Sequence, residues 1–170
     1  MTARALVVVP TYNERENLSV LVGGLLRHEN VRVLIVDDQS PDGTGQVADE
    51  LAGASAGRVR VLHRQPPRGY GRSCLDGLRL AIAEPVDVVC QMDADLSHDP
   101  AAVPRLLTRG ADADLVIGSR YAPGGRIENW PKRRLLLRTL RNHSSPPRHS
   151  SSRTLTGRKF PSRISRERWS

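Results

Sequence analysis

The chain has 170 residues, is 38% hydrophobic and carries a formal charge of +8, which suits one globular domain with a real core and a pronounced charge asymmetry. Residues 1–131 hold 14 Lys/Arg against 17 Asp/Glu, a net −3, and residues 132–170 hold 12 Lys/Arg against Glu167 alone, a net +11, so the basicity belongs to the tail and argues against a uniformly basic nucleic-acid-binding body. Cys74 and Cys90 lack the spacing of a zinc site or a disulfide framework, and no stretch approaches the roughly 20 apolar residues of a membrane-spanning helix.

In chain order, Ala5 to Val9 is a continuous apolar run rich in valine, too short for the core of a signal peptide, and reads as a strand buried on both faces and ended by Pro10. Leu18, Leu21, Val22, Leu25 and Leu26 then recur at helical spacing, with Asn13 or a polar neighbour as cap. Val31 to Val36 predicts a second strand, followed by the turn chemistry of Pro41, Asp42 and Gly43 and a helix from Thr44 to Ala52. Val59 to His63 predicts a third strand, and Gly69 and Gly71 open a helix carrying Leu75, Leu78 and Ile82. Val86 to Met92 reads as a fourth strand, Asp99 to Arg109 as a helix with Pro100 in its first turn, and Ala113 to Gly118 as a fifth strand. Strands alternating with helices imply an α/β fold, a mostly parallel sheet flanked by helices.

Ligands of such sheets lie beyond the carboxyl ends of the strands. Polar clusters stand there after the first strand (Pro10 to Glu14), the second (Asp37 and Asp38), the fourth (Asp93 to Asp95) and the fifth (Ser119 and Arg120), and they are expected to converge on one crevice. Asp93 and Asp95 flank a small residue, so both carboxylates can approach one hard divalent cation if the backbone turns there; a solvated turn is the bland reading of such a triplet. Adjacent carboxylates at Asp37 and Asp38 are costly near a dry crevice unless donors compensate, so at least one should accept hydrogen bonds from a base or ribose, although the segment also has the makings of a simple turn. Tyr12 and Glu14 can hold a base or ribose edge or merely start the first helix, Arg120 suits a phosphate, and Arg68 and Arg72 bracket the glycine turn as ambiguous loop charges.

Taken together, VVPTYNERENL at 8–18, VDDQSPDGT at 36–44, MDADLSH at 92–98, GSRY at 118–121 and GGRIENWP at 124–131 resemble the inverting family 2 glycosyltransferases, and within them the dolichyl- or polyprenyl-phosphate mannosyltransferases. The resemblance implies a GT-A (Rossmann-like) fold and a hexosyltransferase that moves mannose from GDP-mannose to a polyprenyl or dolichyl phosphate with inversion. It implies that Pro10, Tyr12, Glu14, Val36, Asp38, Asp93, Ala94, Asp95 and Arg120 bind the nucleotide sugar, that Asp93 and Asp95 hold Mg2+ or Mn2+, with Ser97 as a further candidate, and that Asp95 and Arg120 are catalytic. The unpaired cysteines suit a cytoplasmic protein, which would touch a membrane from its aqueous side, and the mildly acidic body suits no specific nucleic-acid partner.

The motifs cover residues 4–135 and then stop: in place of a later arginine-bearing motif, residues 140–153 read LRNHSSPPRHSSSR. Two domains of meaning follow, a nucleotide-sugar-binding body over 1–131 that is incomplete on the acceptor side, and a basic Ser/Arg/Pro-rich tail over 132–170 expected to be disordered. A shifted reading frame accounts for such a tail; a basic arm on anionic lipid is the rival account. Competing functions are a UDP-glucose-dependent glucosyltransferase with the same acceptor, a catalytically incomplete binding fragment, and a phospho-accepting receiver domain built on VLIVDD at 33–38. The receiver reading requires the acidic pair after the first strand and a lysine after the fifth, yet another strand precedes the pair here and no lysine occurs before Lys132. Dinucleotide chemistry lacks its third glycine after Gly69 and Gly71.

Overall fold

The computed structural model describes residues 3–119 and 164–168. Its elements run β1 (Ala5–Thr11), α1 (Arg15–Leu26), β2 (Val31–Asp37), α2 (Thr44–Ala54), β3 (Val59–His63), α3 (Tyr70–Ala81), β4 (Val88–Gln91), a 3-10 turn (Pro100–Ala102), α4 (Val103–Gly110), β5 (Leu115–Ser119) and β6 (Ile164–Arg168). A four-stranded parallel sheet in the order β3-β2-β1-β4 forms the centre, with Ala5 opposite Val31 on one side and Val88 on the other. The expected α/β architecture is therefore present, with helices on both faces of the sheet.

Alternation along the strands divides the core in two. Ala5, Val7 and Val9 of β1, with Val31, Val33 and Ile35 of β2, pack against Leu18, Leu21, Val22 and Leu25 of α1, which recur at i, i+3, i+4 and i+7 and are all fully buried. Leu6, Val8, Leu34 and Val36 point to the opposite face, against α3. The carbonyl of Leu26 at the end of α1 accepts from the Arg58 guanidinium at 3.0 Å, so a side chain from beside β3 satisfies a helix terminus that has no glycine cap.

β1 continues through Pro10 to Thr11 instead of ending at the proline. The direction of the hydrogen bonds explains it: Val8 accepts from Met92 on the β4 side and Thr11 accepts from Asp38 on the β2 side, so Pro10 turns its missing donor toward β4, which pairs only as far as Val8 with Gln91. The missing donor thus falls where the β1–β4 pairing ends, and the β1–β2 ladder runs on to Thr11 opposite Asp37.

α3 departs from the sequence reading in the face it buries. Leu75 and Ile82 are exposed, at 54% and 76%, and the buried residues are Ser73, Cys74, Gly77 and Ala81. Small residues let the helix axis approach the sheet: a Cβ on Gly77 would stand 2.5 Å from Val8 Cγ1 and 2.8 Å from Val36 Cγ2. Gly77→Ala is accordingly expected to lower stability by about 1 to 3 kcal/mol through overpacking, against the gain that alanine normally brings to a helix; urea unfolding of the two proteins measures it.

One further expectation is corrected. β5 does not extend the four-stranded sheet; it pairs in parallel with β6, Leu115 opposite Ile164 and Ser119 opposite Arg168. Its partner strand, residues 164–168, comes from the basic segment, where the ladder supplies the hydrogen bonds that an isolated polar stretch lacks. The rest of 132–163 lies outside the described residues. No described helix is long and apolar enough to cross a membrane.

Candidate functional site

A crevice of about 630 Å3 opens at the carboxyl ends of β1, β2 and β4, beneath the N-terminus of α3. Its walls include Pro10, Tyr12, Glu14, Asp38, Asp93, Ala94 and Asp95, seven of the nine residues expected to bind a nucleotide sugar. Of the other two, Arg120 lies outside the described residues. Val36 is fully buried under α3, two residues before Asp38, and its carbonyl accepts from the hydroxyl of the crevice residue Thr11 at 3.3 Å. Ser119 ends β5 in the second sheet and is not among the crevice residues.

The paired acids after β2 separate by strand parity. Asp37 faces α2: its carboxylate accepts from the Ser40 backbone N–H and lies 3.8 Å from His63 Nδ1, while His63 Nε2 meets Asp49 at 2.9 Å. Those contacts, the Asp49 hydrogen bond first, hold the His63 pKa above its ordinary value. Asp38 faces α3 and the crevice. It is 5% exposed, pairs through Oδ1 with the equally buried Arg64, and accepts at Oδ2 from the Gly69 N–H at 2.7 Å. Arg64 also reaches Asp76 of α3 at 2.9 Å, so its guanidinium bridges two acids and holds the Asp38 carboxylate in one orientation. The charge that the sequence left uncompensated is thereby balanced.

On the β1 side, Glu14 is the N-cap position of α1; its backbone N–H donates to the Thr44 hydroxyl at 2.9 Å and its carboxylate accepts from the Asn17 amide at 2.9 Å. Helix start and crevice wall are thus one residue. Tyr12 is 47% exposed, and the Arg68 guanidinium lies 5.4 Å over its ring and donates to its hydroxyl at 2.8 Å, which puts a flat aromatic and a cation at the mouth of the crevice.

The acids after β4 owe their placement to a left-handed residue. Leu96 has φ 56°, a conformation costing a non-glycine residue about 1 kcal/mol or more. The chain consequently doubles back: the Ser97 N–H donates to Asp95 Oδ1 at 2.9 Å, and the Asp93 N–H donates to His98 Nδ1 at 3.3 Å, which fixes His98 as the tautomer protonated on Nε2. Ser97 therefore reaches Asp95 through its backbone and is not among the crevice walls. Asp93 Oδ1 accepts from the Tyr70 hydroxyl at 2.7 Å, and that bond, followed by burial, pushes the phenol pKa well above its usual value. Cys90, on β4 behind this site, is raised to about 11 by burial and stays a thiol.

The sequence reading left Arg64 and Tyr70 out of the site, although it applied the strand-end rule to four other strands. The end of β3 obeys the same rule: the loop from Arg64 to Tyr70 supplies Arg64, Arg68, Gly69 and Tyr70 to the crevice or to its acids.

Asp93 and Asp95 both line the crevice; among the described residues no group of three or more His, Cys, Asp or Glu is arranged to hold a metal. Two carboxylates on one wall fit a hard divalent cation that completes its shell with water and phosphate oxygens, and do not fit a closed all-protein cage.

Comparison with known proteins supplies the context. The glycosyl transferase family 2 model matches residues 6–166, past the point at which the recognisable motifs stop. The chain is 51% identical to a polyprenol monophosphomannose synthase of Mycolicibacterium smegmatis over 83% of its length and 54% of the relative's. It is 47% identical to an undecaprenyl-phosphate mannosyltransferase of Micrococcus luteus, over 79% of the chain and 55% of the relative. A dolichol-phosphate mannosyltransferase of Pyrococcus furiosus is 41% identical over 77% of the chain and 37% of the relative. The chain thus spans about half the length of the first two. Among solved structures, a mannosyltransferase of Pyrobaculum calidifontis in complex with GDP-Man and Mn2+ superposes with a TM-score of 0.59 at 22% identity, over 70% of this chain and 36% of that one. TarS 1–349 of S. aureus in complex with UDP-GlcNAc gives 0.55 at 20%, over 68% and 34%. At these identities the two structures speak for a shared fold.

Proposed function

The chain belongs to glycosyl transferase family 2, and on that premise we propose that its crevice binds GDP-mannose and that it forms the donor-binding part of an inverting mannosyltransferase acting on a polyprenyl or dolichyl phosphate. The observation that carries this reading is the convergence of Pro10, Tyr12, Glu14, Asp38, Asp93, Ala94 and Asp95, drawn from three strand ends, on one crevice. The names of the relatives agree with it: each moves mannose or makes a phosphomannose lipid.

In this reading Asp38, held by Arg64 and Gly69, presents its remaining lone pairs to N–H or O–H groups of the base or ribose. Tyr12 offers a ring face beside it, and Arg68 the cation above that ring. Asp93 and Asp95 would hold Mg2+ or Mn2+ at the phosphate end; such an ion offsets the charge that develops on a departing diphosphate. Arg120 stands next in sequence to β5 and suits the same phosphates by its planar charge. An acceptor phosphate is already anionic at neutral pH, so the residues of the crevice are asked for alignment and not for a strong general base. The lipid tail of the acceptor puts the reaction at a bilayer surface, and the net +11 of residues 132–170 suits anionic lipid, at up to about 1 kcal/mol per basic residue near the surface.

Incubation of the purified chain with radiolabelled GDP-mannose, Mn2+ and a short polyprenyl phosphate should move label into the lipid extract, with UDP-glucose giving far less. Equal or greater transfer from UDP-glucose overturns the donor assignment. Metal-dependent GDP binding without transfer from either donor overturns the transferase reading of this chain and leaves a nucleotide-sugar-binding unit.

A further inference from the structure

We propose that Tyr70 is a positioning residue for the cation site, setting the orientation of the Asp93 carboxylate through its phenolic proton; the inference rests on the donor-site reading above. Two hydrogen bonds fix the direction of that proton. Gln91 Nε2 lies 3.3 Å from the Tyr70 oxygen, and an amide nitrogen only donates, so the phenol accepts there and turns its single proton to Asp93 Oδ1 at 2.7 Å. Oδ1 is thereby occupied by a donor, the carboxylate loses its freedom to rotate, and Oδ2 is the oxygen left to face a cation.

The position of the phenol is itself determined by α3. Tyr70 is the first residue of that helix, next to Gly69, whose N–H holds Asp38 at 2.7 Å and whose φ of 152° is one that side-chain-bearing residues rarely adopt. One turn of chain therefore grips an acid from β2 with its backbone and an acid from β4 with the next side chain. The helix behind it is seated on the sheet through Gly77, so the separation between the Asp38 end and the Asp93 end of the crevice follows the seating of a single rigid element. Partners that orient a metal-binding carboxylate in this way commonly govern metal affinity by about ten- to a hundredfold.

The test is Tyr70→Phe, which keeps the ring of a residue 60% exposed and removes only the proton donor. Mn2+ affinity of the GDP-saturated protein is read from the free-Mn2+ electron paramagnetic resonance signal, and GDP affinity without metal from calorimetry, with Asp93→Ala alongside and circular dichroism to establish folding. The expected result is an Mn2+ dissociation constant about tenfold higher in Tyr70→Phe, a greater loss in Asp93→Ala, and metal-free GDP affinity unchanged within about twofold in Tyr70→Phe. Wild-type Mn2+ affinity in Tyr70→Phe beside a loss in Asp93→Ala overturns the role of Tyr70 alone. A loss of metal-free GDP affinity as large as the loss for Mn2+ overturns it too, since the phenol would then act on the nucleotide directly. Unchanged Mn2+ affinity in Asp93→Ala, or none in the wild type, overturns the donor-site reading on which the proposal stands.

Discussion

Replacing Arg64 by methionine should lower the free energy of unfolding by about 3 kcal/mol and weaken nucleotide binding with it. The size follows from burial. Arg64 and Asp38 are 7% and 5% exposed, and the guanidinium is shared between Asp38 and Asp76, so its removal strands a carboxylate in a site from which water is largely excluded. Compare Arg4 and Asp87, whose side chains are 63% and 49% exposed: water already solvates both, and breaking such a pair costs at most about 1 kcal/mol. Methionine keeps much of the volume of the lost stem, so the cavity contribution is small and the stranded charge dominates. Asp38→Asn in the methionine background removes that charge and should recover part of the loss, making the double variant less destabilised than the sum of the singles by about 1 to 3 kcal/mol. Urea unfolding of the four proteins checks this. A loss under about 1 kcal/mol in Arg64→Met, with additive effects in the double variant, would mean that the pair behaves as a surface contact and does not organise the site.

That pair also shows what the sequence conveyed and what it withheld. The alternation of elements, the ends of β2 and β3, and the convergence of acids at strand ends were legible, because a sheet covered on both faces must write its strands as apolar runs and put its polar residues where the runs stop. The same double coverage hid strand parity. Val33, Leu34, Ile35 and Val36 are all apolar, so nothing in the run says that Asp38 rather than Asp37 faces the crevice; only the packing of α2 on one face and α3 on the other decides it. The face of α3 was hidden for a related reason. Leu75, Leu78 and Ile82 make a convincing helical stripe, yet of the three only Leu78 packs against the sheet, beside Ser73, Cys74, Gly77 and Ala81, whose small size brings the helix close to Val8 and Val36. β5 was recognised as a strand but its partner could not be, since Ile164 lies 45 residues beyond Ser119 and its segment, Ile164 to Arg168, is mostly polar, with no apolar run to announce a strand.

Asp95→Ala should abolish the metal-dependent part of donor binding while leaving the fold nearly untouched. Asp95 is exposed, and the Ser97 N–H it accepts from returns to solvent when the carboxylate is removed, so the stability change should stay within about 0.5 kcal/mol. Binding is another matter. On the proposed reading Asp93 and Asp95 hold the ion, and among the described residues no group of three or more acids, cysteines or histidines is arranged for a metal, so losing one leaves a cation with a single protein ligand, and the affinity for GDP-mannose in the presence of Mn2+ should fall on the order of a hundredfold, about 2.7 kcal/mol. Without Mn2+ the variant and the wild type should bind GDP alike, because Asp38, Tyr12 and Glu14 stand at the other end of the crevice with partners of their own in Arg64, Arg68 and Asn17. Calorimetric titration with and without the ion separates the two ends. Metal-dependent affinity retained by Asp95→Ala would refute the placement of the cation, and metal-free affinity lost with it would show that Asp95 touches the nucleotide itself.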